Sequence, residues 1–177
     1  MRPANQRRSK PQPTPAVTGF PAEPHDHRAC IGTALDVAGA LCQARGARWT
    51  AIRRRVLELI WASHRPIGAY ELLDRLAEDG RRAAPPTVYR ALEFPMEQGL
   101  VHRIESRNAF IGCNNPGSDH VVEILLCTDC GCAAELSDAR IARAMRAAAA
   151  ELGFEVRGQT LEVSGRCAAC QQRNRAN

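Results

Sequence analysis

Cys127-Thr-Asp-Cys130 and Cys167-Ala-Ala-Cys170 form two CxxC pairs, 36 residues apart. A two-residue spacer lets both sulfurs of a pair converge on one ion from a tight turn. Two such knuckles make a closed tetrahedral thiolate site, for which Zn2+ is the usual occupant. The segment between them is longer than in a simple zinc ribbon. It has room for a strand, a helix and another strand, so a metal would staple the last element back to the first. An iron–sulfur cluster and a redox-active CxxC are the alternatives, and two pairs rather than one weigh against the redox motif. The sequence has eight cysteines and no apolar segment behind its N-terminal arginines. Without a secretory signal, clustered cysteines read as metal ligands in a reducing cytoplasm rather than as a disulfide framework.

A second group of donors lies around the middle of the chain: His102, Cys113, His120 and Glu135. Glu123 and Asp119 are close enough in sequence to replace or supplement Glu135. Each has a plain reading too: His102 as a half-buried strand residue, Cys113 as a small core residue, Glu135 as a solvated charge. Spacing alone leaves those readings open. Cys30, Cys42 and Cys132 read as packing residues or free thiols, and His25 and His27 as mobile surface histidines.

The elements that would position these groups follow from hydrophobic period. Residues 1–29 hold six prolines, five basic and two acidic side chains; PQPTP (11–15) is polyproline-like, and the segment reads as a flexible basic tail. Residues 30–112 read as a winged-helix DNA-binding domain. Ile31, Leu35, Val37 and Leu41 line one helix. Thr50 caps a second, with Ile52, Val56, Leu59 and Ile60 at helical spacing. Tyr70, Leu72, Leu73 and Leu76 mark a third after Gly68. Pro85-Pro86 opens a fourth that ends at Gly99, and Pro95 should bend its last turn. The period then becomes two: Val101 to Ser106, a turn at Arg107-Asn108, and a return strand from Ala109 to Cys113. Helices followed by a two-stranded ribbon make a winged helix-turn-helix whose last helix enters the major groove.

Residues 113–177 read as a metal-binding dimerisation domain. It has strands at Val121–Cys127, Cys132–Leu136 and within Phe154–Val163, and a helix capped by Ser137 and closed by Gly153. This β-β-α-β unit is too small to hold itself by apolar burial alone, so a metal or a partner subunit is expected. The fold class is therefore α+β.

Composition agrees. The chain has 177 residues, 45% of them hydrophobic, with a net charge of +5. Wholesale disorder and a membrane span are excluded. Residues 30–107 carry twelve basic and nine acidic groups, whereas residues 108–177 carry seven and eight. The basic portion suits nucleic acid. Arg48, Arg53 and Arg54 would neutralise phosphates, Thr87 and Tyr89 would contact phosphates, Arg90 a base edge, and Tyr70 a base or sugar.

PPTVYRAL (85–92), CTDCG (127–131) and CAAC (167–170) together resemble the ferric uptake regulator family: its recognition helix and its structural zinc knuckles. AYELLDRL (69–76), EQGLVHRIES (97–106) and the late CAAC are most similar to its zinc uptake regulators. The similarity covers roughly residues 40–170. It implies a homodimeric, cytoplasmic repressor that binds a pseudo-palindromic double-stranded operator, with zinc as co-repressor. It also implies two Zn2+ sites per subunit: a structural one at Cys127, Cys130, Cys167 and Cys170, and a regulatory one at His102, Cys113, His120 and Glu135. One thiolate, two imidazoles and one carboxylate suit tetrahedral zinc. A sibling regulator sensing iron, manganese or peroxide is the first alternative. A deaminase-like zinc enzyme is a second; it needs an H-x-E motif, whereas His120 and Glu123 are separated by two residues. Two departures from the family pattern stand out: Ala51 follows Thr50 where proline is common, and Pro95 replaces an apolar helix residue.

Overall fold

The computed structural model describes residues 16–17, 20, 27–80, 84–118 and 120–175. Most of the expected tail, including His25, and also Asp119, lie outside these residues. The elements in order are β1 (Ala16–Val17), α1 (His27–Ala44), α2 (Ala51–Trp61), β2 (Ile67–Gly68), α3 (Ala69–Glu78), α4 (Pro85–Glu97), β3 (Val101–Ile104) and a 3-10 turn (Glu105–Arg107). After them come β4 (Ala109–Gly112), β5 (Val122–Cys127), β6 (Ala133–Ser137), α5 (Ala139–Glu151), β7 (Thr160–Gly165) and α6 (Ala168–Arg175).

The four N-terminal helices share one core. Leu35, Ala38 and Cys42 of α1 lie at helical spacing and are buried. They meet Val56, Leu57 and Ile60 of α2, Leu72 and Leu76 of α3, and Val88 and Leu92 of α4. Thr50 caps α2, its side-chain oxygen accepting the Arg53 N–H at 3.4 Å, as a threonine in extended backbone does. Ala51 therefore takes the place of the usual proline without loss of the cap. Pro85 and Pro86 open α4, where a missing N–H costs no internal bond. The helix continues through Pro95 to Glu97. The Pro95 ring is buried, and its carbonyl accepts the Leu100 N–H at 2.7 Å as the chain turns through Gly99.

A three-stranded sheet of order β2-β4-β3 closes this half. A second sheet, β1-β6-β5-β7, is antiparallel except for the parallel β5–β7 pair, whose connection runs through β6 and α5. The two halves meet through Ile104 and Ile111 of the wing against Ile124, Leu126 and Ala133. The His64 carbonyl also accepts the Ala133 N–H at 2.9 Å.

Several expectations are corrected. The ribbon has a third strand, β2. Glu105 and Ser106 belong to a 3-10 turn, with Asn108 in left-handed conformation at φ 45°, rather than to a strand. Asp138 caps α5, accepting the Arg140 N–H at 2.8 Å, and Ser137 ends β6. The last strand is confined to Thr160–Gly165, so Phe154 to Gln159 and the bend at Gly158 are not strand. Helix α6 and strand β1 are additional. His27 is part of α1, with its ring 4.8 Å from that of His64, and is not a mobile surface group. Cys42 is buried packing, and burial raises its thiol pKa.

Gly112 precedes Cys113 at the point where Trp61 of α2 lies against β4. A Cβ at Gly112 would overlap the Trp61 indole. Gly112→Ala should therefore destabilise the chain by about 1–3 kcal/mol. Chemical denaturation followed by tryptophan fluorescence checks this, and an unchanged midpoint would exclude the close approach.

Candidate metal centres and the DNA-facing surface

The first centre forms where β5 ends. Cys127 is its last residue, Cys130 sits in the turn that follows, and Cys167 and Cys170 lie at and inside the first turn of α6. The four sulfurs lie within 4.8 Å of one another. Parallel pairing of β5 with β7 holds the two knuckles together. The Cys127↔Gly165 register ends both strands at the same level, and the Thr128 N–H donates to the Gly165 carbonyl at 2.8 Å. Gly131, at φ 74°, turns the knuckle and donates its N–H to the Cys127 carbonyl at 3.0 Å.

Backbone donors favour thiolate here. N–H groups of Cys167 and Cys130 bring Cys127 down to about 6. The Arg173 guanidinium donates to the Cys170 sulfur at 2.9 Å. Cys170 itself is pushed up to about 12 by burial and its sulfur neighbours. Four clustered sulfurs, from three buried cysteines and the half-buried Cys130, with Cys127 thiolate-prone, fit a closed zinc site; the metal would hold the remaining thiols deprotonated.

The second centre spans both halves of the molecule. His102 comes from β3, Cys113 follows β4, His120 precedes β5 and Glu135 is in β6. One donor atom from each lies within 4.8 Å of the others. Glu135 Oε1 is 2.6 Å from His120 Nε2 and 3.2 Å from His102 Nε2. Cys113 Sγ is 3.7 Å from His120 Nε2. Burial opposes ionisation of Glu135, but His102, the Asn114 N–H at 2.7 Å and His120 outweigh it and lower its pKa. Burial, and then the charge of Glu135, push the Cys113 thiol up to about 12. The Ser118 carbonyl lies 3.1 Å from His120 Nδ1. With a metal bound, a proton held there would leave the Nε2 lone pair facing the ion, which is how a zinc-ligating imidazole is oriented; without one, an Nε2 proton can donate to Glu135 Oε1. The donor set fits a tetrahedral cation of borderline softness.

Strand register explains why Glu135, and not Glu123, joins this cluster. Glu135 is the cross-strand partner of Ile124, and both share the face turned to the wing. Glu123 is one residue out of phase and therefore on the other face. There, 1% exposed, its Oε2 accepts the Asp138 N–H at 3.2 Å at the start of α5. Asn114 acts through its backbone N–H, Ser118 through its carbonyl and hydroxyl, and Arg173 through its guanidinium one helical turn beyond Cys170; no sequence pattern announced them.

The residues expected from the sequence to meet DNA are mostly solvent-accessible. Thr87, Tyr89 and Arg90 are exposed on the first half of α4, and Tyr70 at the start of α3 is 71% exposed. The arginines of α2 differ among themselves. Arg53 stacks its guanidinium 3.6 Å from the Phe94 ring centroid and donates to the Arg48 carbonyl. Arg54 pairs with Glu58 at 3.1 Å. Arg55 bridges Asp79 at 2.6 Å and Glu58 at 3.1 Å. The run is thus partly engaged within the fold, and Arg48 and Arg54 carry the more exposed side chains.

This combination defines a winged-helix protein with two clusters of candidate metal ligands, one of them between its halves. Residues 44–164 match the model of the ferric uptake regulator family, and the chain belongs to that family. It is similar to the zinc uptake regulation protein of Escherichia coli (strain K12), with 40% identity over 137 residues, covering 77% of this chain and 80% of the relative. The ferric uptake regulation protein of the same organism is 31% identical over 127 residues, covering 70% and 83%. Among solved structures, a zinc uptake regulator in complex with zinc and DNA superposes with a TM-score of 0.75 at 35% identity, covering 85% of this chain and 99% of that one. The crystal structure of holo XcZur gives 0.72 at 45% identity, covering 79% and 98%. Family membership removes the deaminase-like reading, because members of this family are transcription regulators, not enzymes.

Cys127→Ser should cost the chain one zinc and unfold its second sheet and α6, because a structural zinc supplies much of the folding free energy of so small a unit. Metal analysis with circular dichroism decides this. A folded second sheet in a metal-free variant would contradict a structural role.

Proposed function

We propose that this protein is a zinc-responsive, DNA-binding transcriptional repressor of zinc uptake and homeostasis genes, acting in the cytoplasm as a homodimer on a pseudo-palindromic operator. The observation that carries the reading is the placement of His102 on the wing and of Glu135 on the second sheet within one donor cluster. The similarity to a regulator solved with both zinc and DNA supports it. In this reading each subunit holds two zinc ions. Cys127, Cys130, Cys167 and Cys170 bind the structural one, and His102, Cys113, His120 and Glu135 bind the regulatory one.

His102, Cys113, His120 and Glu135 would hold zinc at the second centre, and their shared ligation would favour one arrangement of the two halves. His102 transmits that choice to β3 and, through Leu100 and Val101, to α4, which shares their core. Thr87, Tyr89 and Arg90 on α4 then meet phosphates and a base edge in the major groove. Tyr70 and the exposed arginines Arg48 and Arg54 add sugar or phosphate contacts; Arg53 contributes through its position over Phe94. A hundredfold preference of the metal for one arrangement is worth roughly 2.7 kcal/mol of coupling to DNA. Met145, Leu152, Phe154 and Val163 are exposed apolar side chains on α5, the loop after it and β7. They offer the surface by which two copies associate. The thiolate of Cys113 favours zinc over iron or manganese at the sensing centre.

The test is operator binding across free zinc concentrations, using a duplex selected from random DNA by the wild-type protein. Cys113→Ser should keep one zinc per chain, lose the second and no longer gain operator affinity with zinc. Arg90→Ala in the same assay should cost about 1–3 kcal/mol and relax discrimination at one base pair. Unchanged zinc stoichiometry and zinc-dependent binding in Cys113→Ser would overturn the assignment and favour an iron- or manganese-sensing sibling.

A further inference from the structure

Glu162 lies in β7, ligates nothing in either centre and belongs to no motif. Its register partner across the parallel pair is Ile124. Parallel partners share a face of the sheet, and neighbours along a strand alternate. Glu162 therefore points to the side of Ile124, which Ile104 and Ile111 of the wing cover. From there its carboxylate reaches the 3-10 turn. Oε1 accepts the Glu105 N–H at 2.7 Å, and Oε2 accepts the Ser106 N–H at 3.2 Å. These are the donors that the first turn of a helix leaves without internal partners. The cap on this turn is thus supplied by the other half of the molecule. The Glu105 side chain is directed to Arg103 instead, 3.4 Å away, which reduces its repulsion of Glu162.

We propose that Glu162 is a positioning residue for the metal response. Its carboxylate latches the 3-10 turn of the wing to the second sheet and holds His102, three residues before Glu105, in register with Glu135. The inference rests on the reading of His102, Cys113, His120 and Glu135 as the sensing centre, and it adds a part that no metal ion touches. The latch populates the binding-competent arrangement before zinc arrives, so less of the metal's binding free energy is spent on ordering the two halves. Zinc and DNA both bind more tightly for it. At saturating zinc the metal alone suffices, and the contribution of the latch to DNA affinity fades.

The experiment uses the full-length protein with its four-cysteine centre loaded, as wild type, Glu162→Ala and Glu162→Gln. Three quantities are read: amide exchange at Glu105 and Ser106, zinc affinity of the second centre without DNA by chelator competition, and affinity for the selected operator duplex at limiting and saturating zinc. Two charge-assisted bonds make a loss of about tenfold in second-centre zinc affinity the expected size for Glu162→Ala. Glu162→Gln keeps one acceptor oxygen and should lose less. Both variants should exchange the two amides faster, bind operator weakly at limiting zinc and recover at saturating zinc. Should Glu162→Ala fail to fold, the same pattern in Glu162→Gln decides.

Wild-type zinc affinity in both variants would overturn the latch. So would an operator defect of equal size at limiting and saturating zinc, which marks a purely structural or DNA-contacting role. A wild-type protein whose operator affinity ignores the second zinc would instead overturn the sensing-centre reading, and the latch with it.

Discussion

A carboxylate that is 3% exposed stays charged only when donors or a cation compensate its burial. Glu135 meets that demand with groups from three separate segments: the His102 imidazole from the wing, the Asn114 N–H from the segment between the halves, and His120 from the entry to β5. The same requirement brings Cys113 within reach of His120. Much of the architecture follows from satisfying this one group. The wing must lie on the face of the second sheet that Glu135 shares with Ile124. The chain must cross from β4 to β5 along the edge of the cluster, and Trp61 must pack against Gly112 to set the start of that crossing.

The two centres divide the labour. The cysteine cluster joins β5 to α6 and lies wholly within the second half, so a metal there would stabilise the platform on which Glu135 and His120 are mounted. The mixed centre joins that platform to the wing. Its donors come from four segments in two sheets, and the halves that carry them meet at a small apolar patch of Ile104, Ile111, Ile124, Leu126 and Ala133 with a few hydrogen bonds beside it. A small patch leaves the relative placement of the halves open to a modest free-energy bias, of the scale that a metal held by these donors and the proposed Glu162 latch would supply.

The helices were legible in the sequence because their apolar residues recur at helical spacing and the caps and breakers, Thr50, Pro85 and Gly99, carry local signals. The cysteine centre was legible because two-residue spacing has a direct geometric meaning. The mixed centre was legible only in part: His102, Cys113, His120 and Glu135 are scattered over 34 positions, spacing marked them as candidate donors with plain readings still open, and the resemblance to zinc uptake regulators assigned them to one site. Register is what separates Glu135 from Glu123, and register is a property of paired strands, invisible in one strand alone. Strands β1 and β2 have two residues each and no period to detect. Helix α6 begins inside the second CxxC, where the cysteine spacing dominates the pattern. Asp138 displaced Ser137 as the cap because β6 extends one residue further than its apolar run. The contacts of Glu162 and Ser118 run to or from backbone atoms, which leave no trace in side-chain patterns.

The central claim is that the mixed centre and the DNA-facing helix report one shared equilibrium. Linkage tests it directly: the zinc affinity of the second centre is measured with and without the operator duplex, and the operator affinity with and without that zinc. The two ratios must be equal and well above one if His102, Cys113, His120 and Glu135 select the DNA-compatible arrangement. Zinc affinity that is the same in the presence and absence of operator would contradict the account.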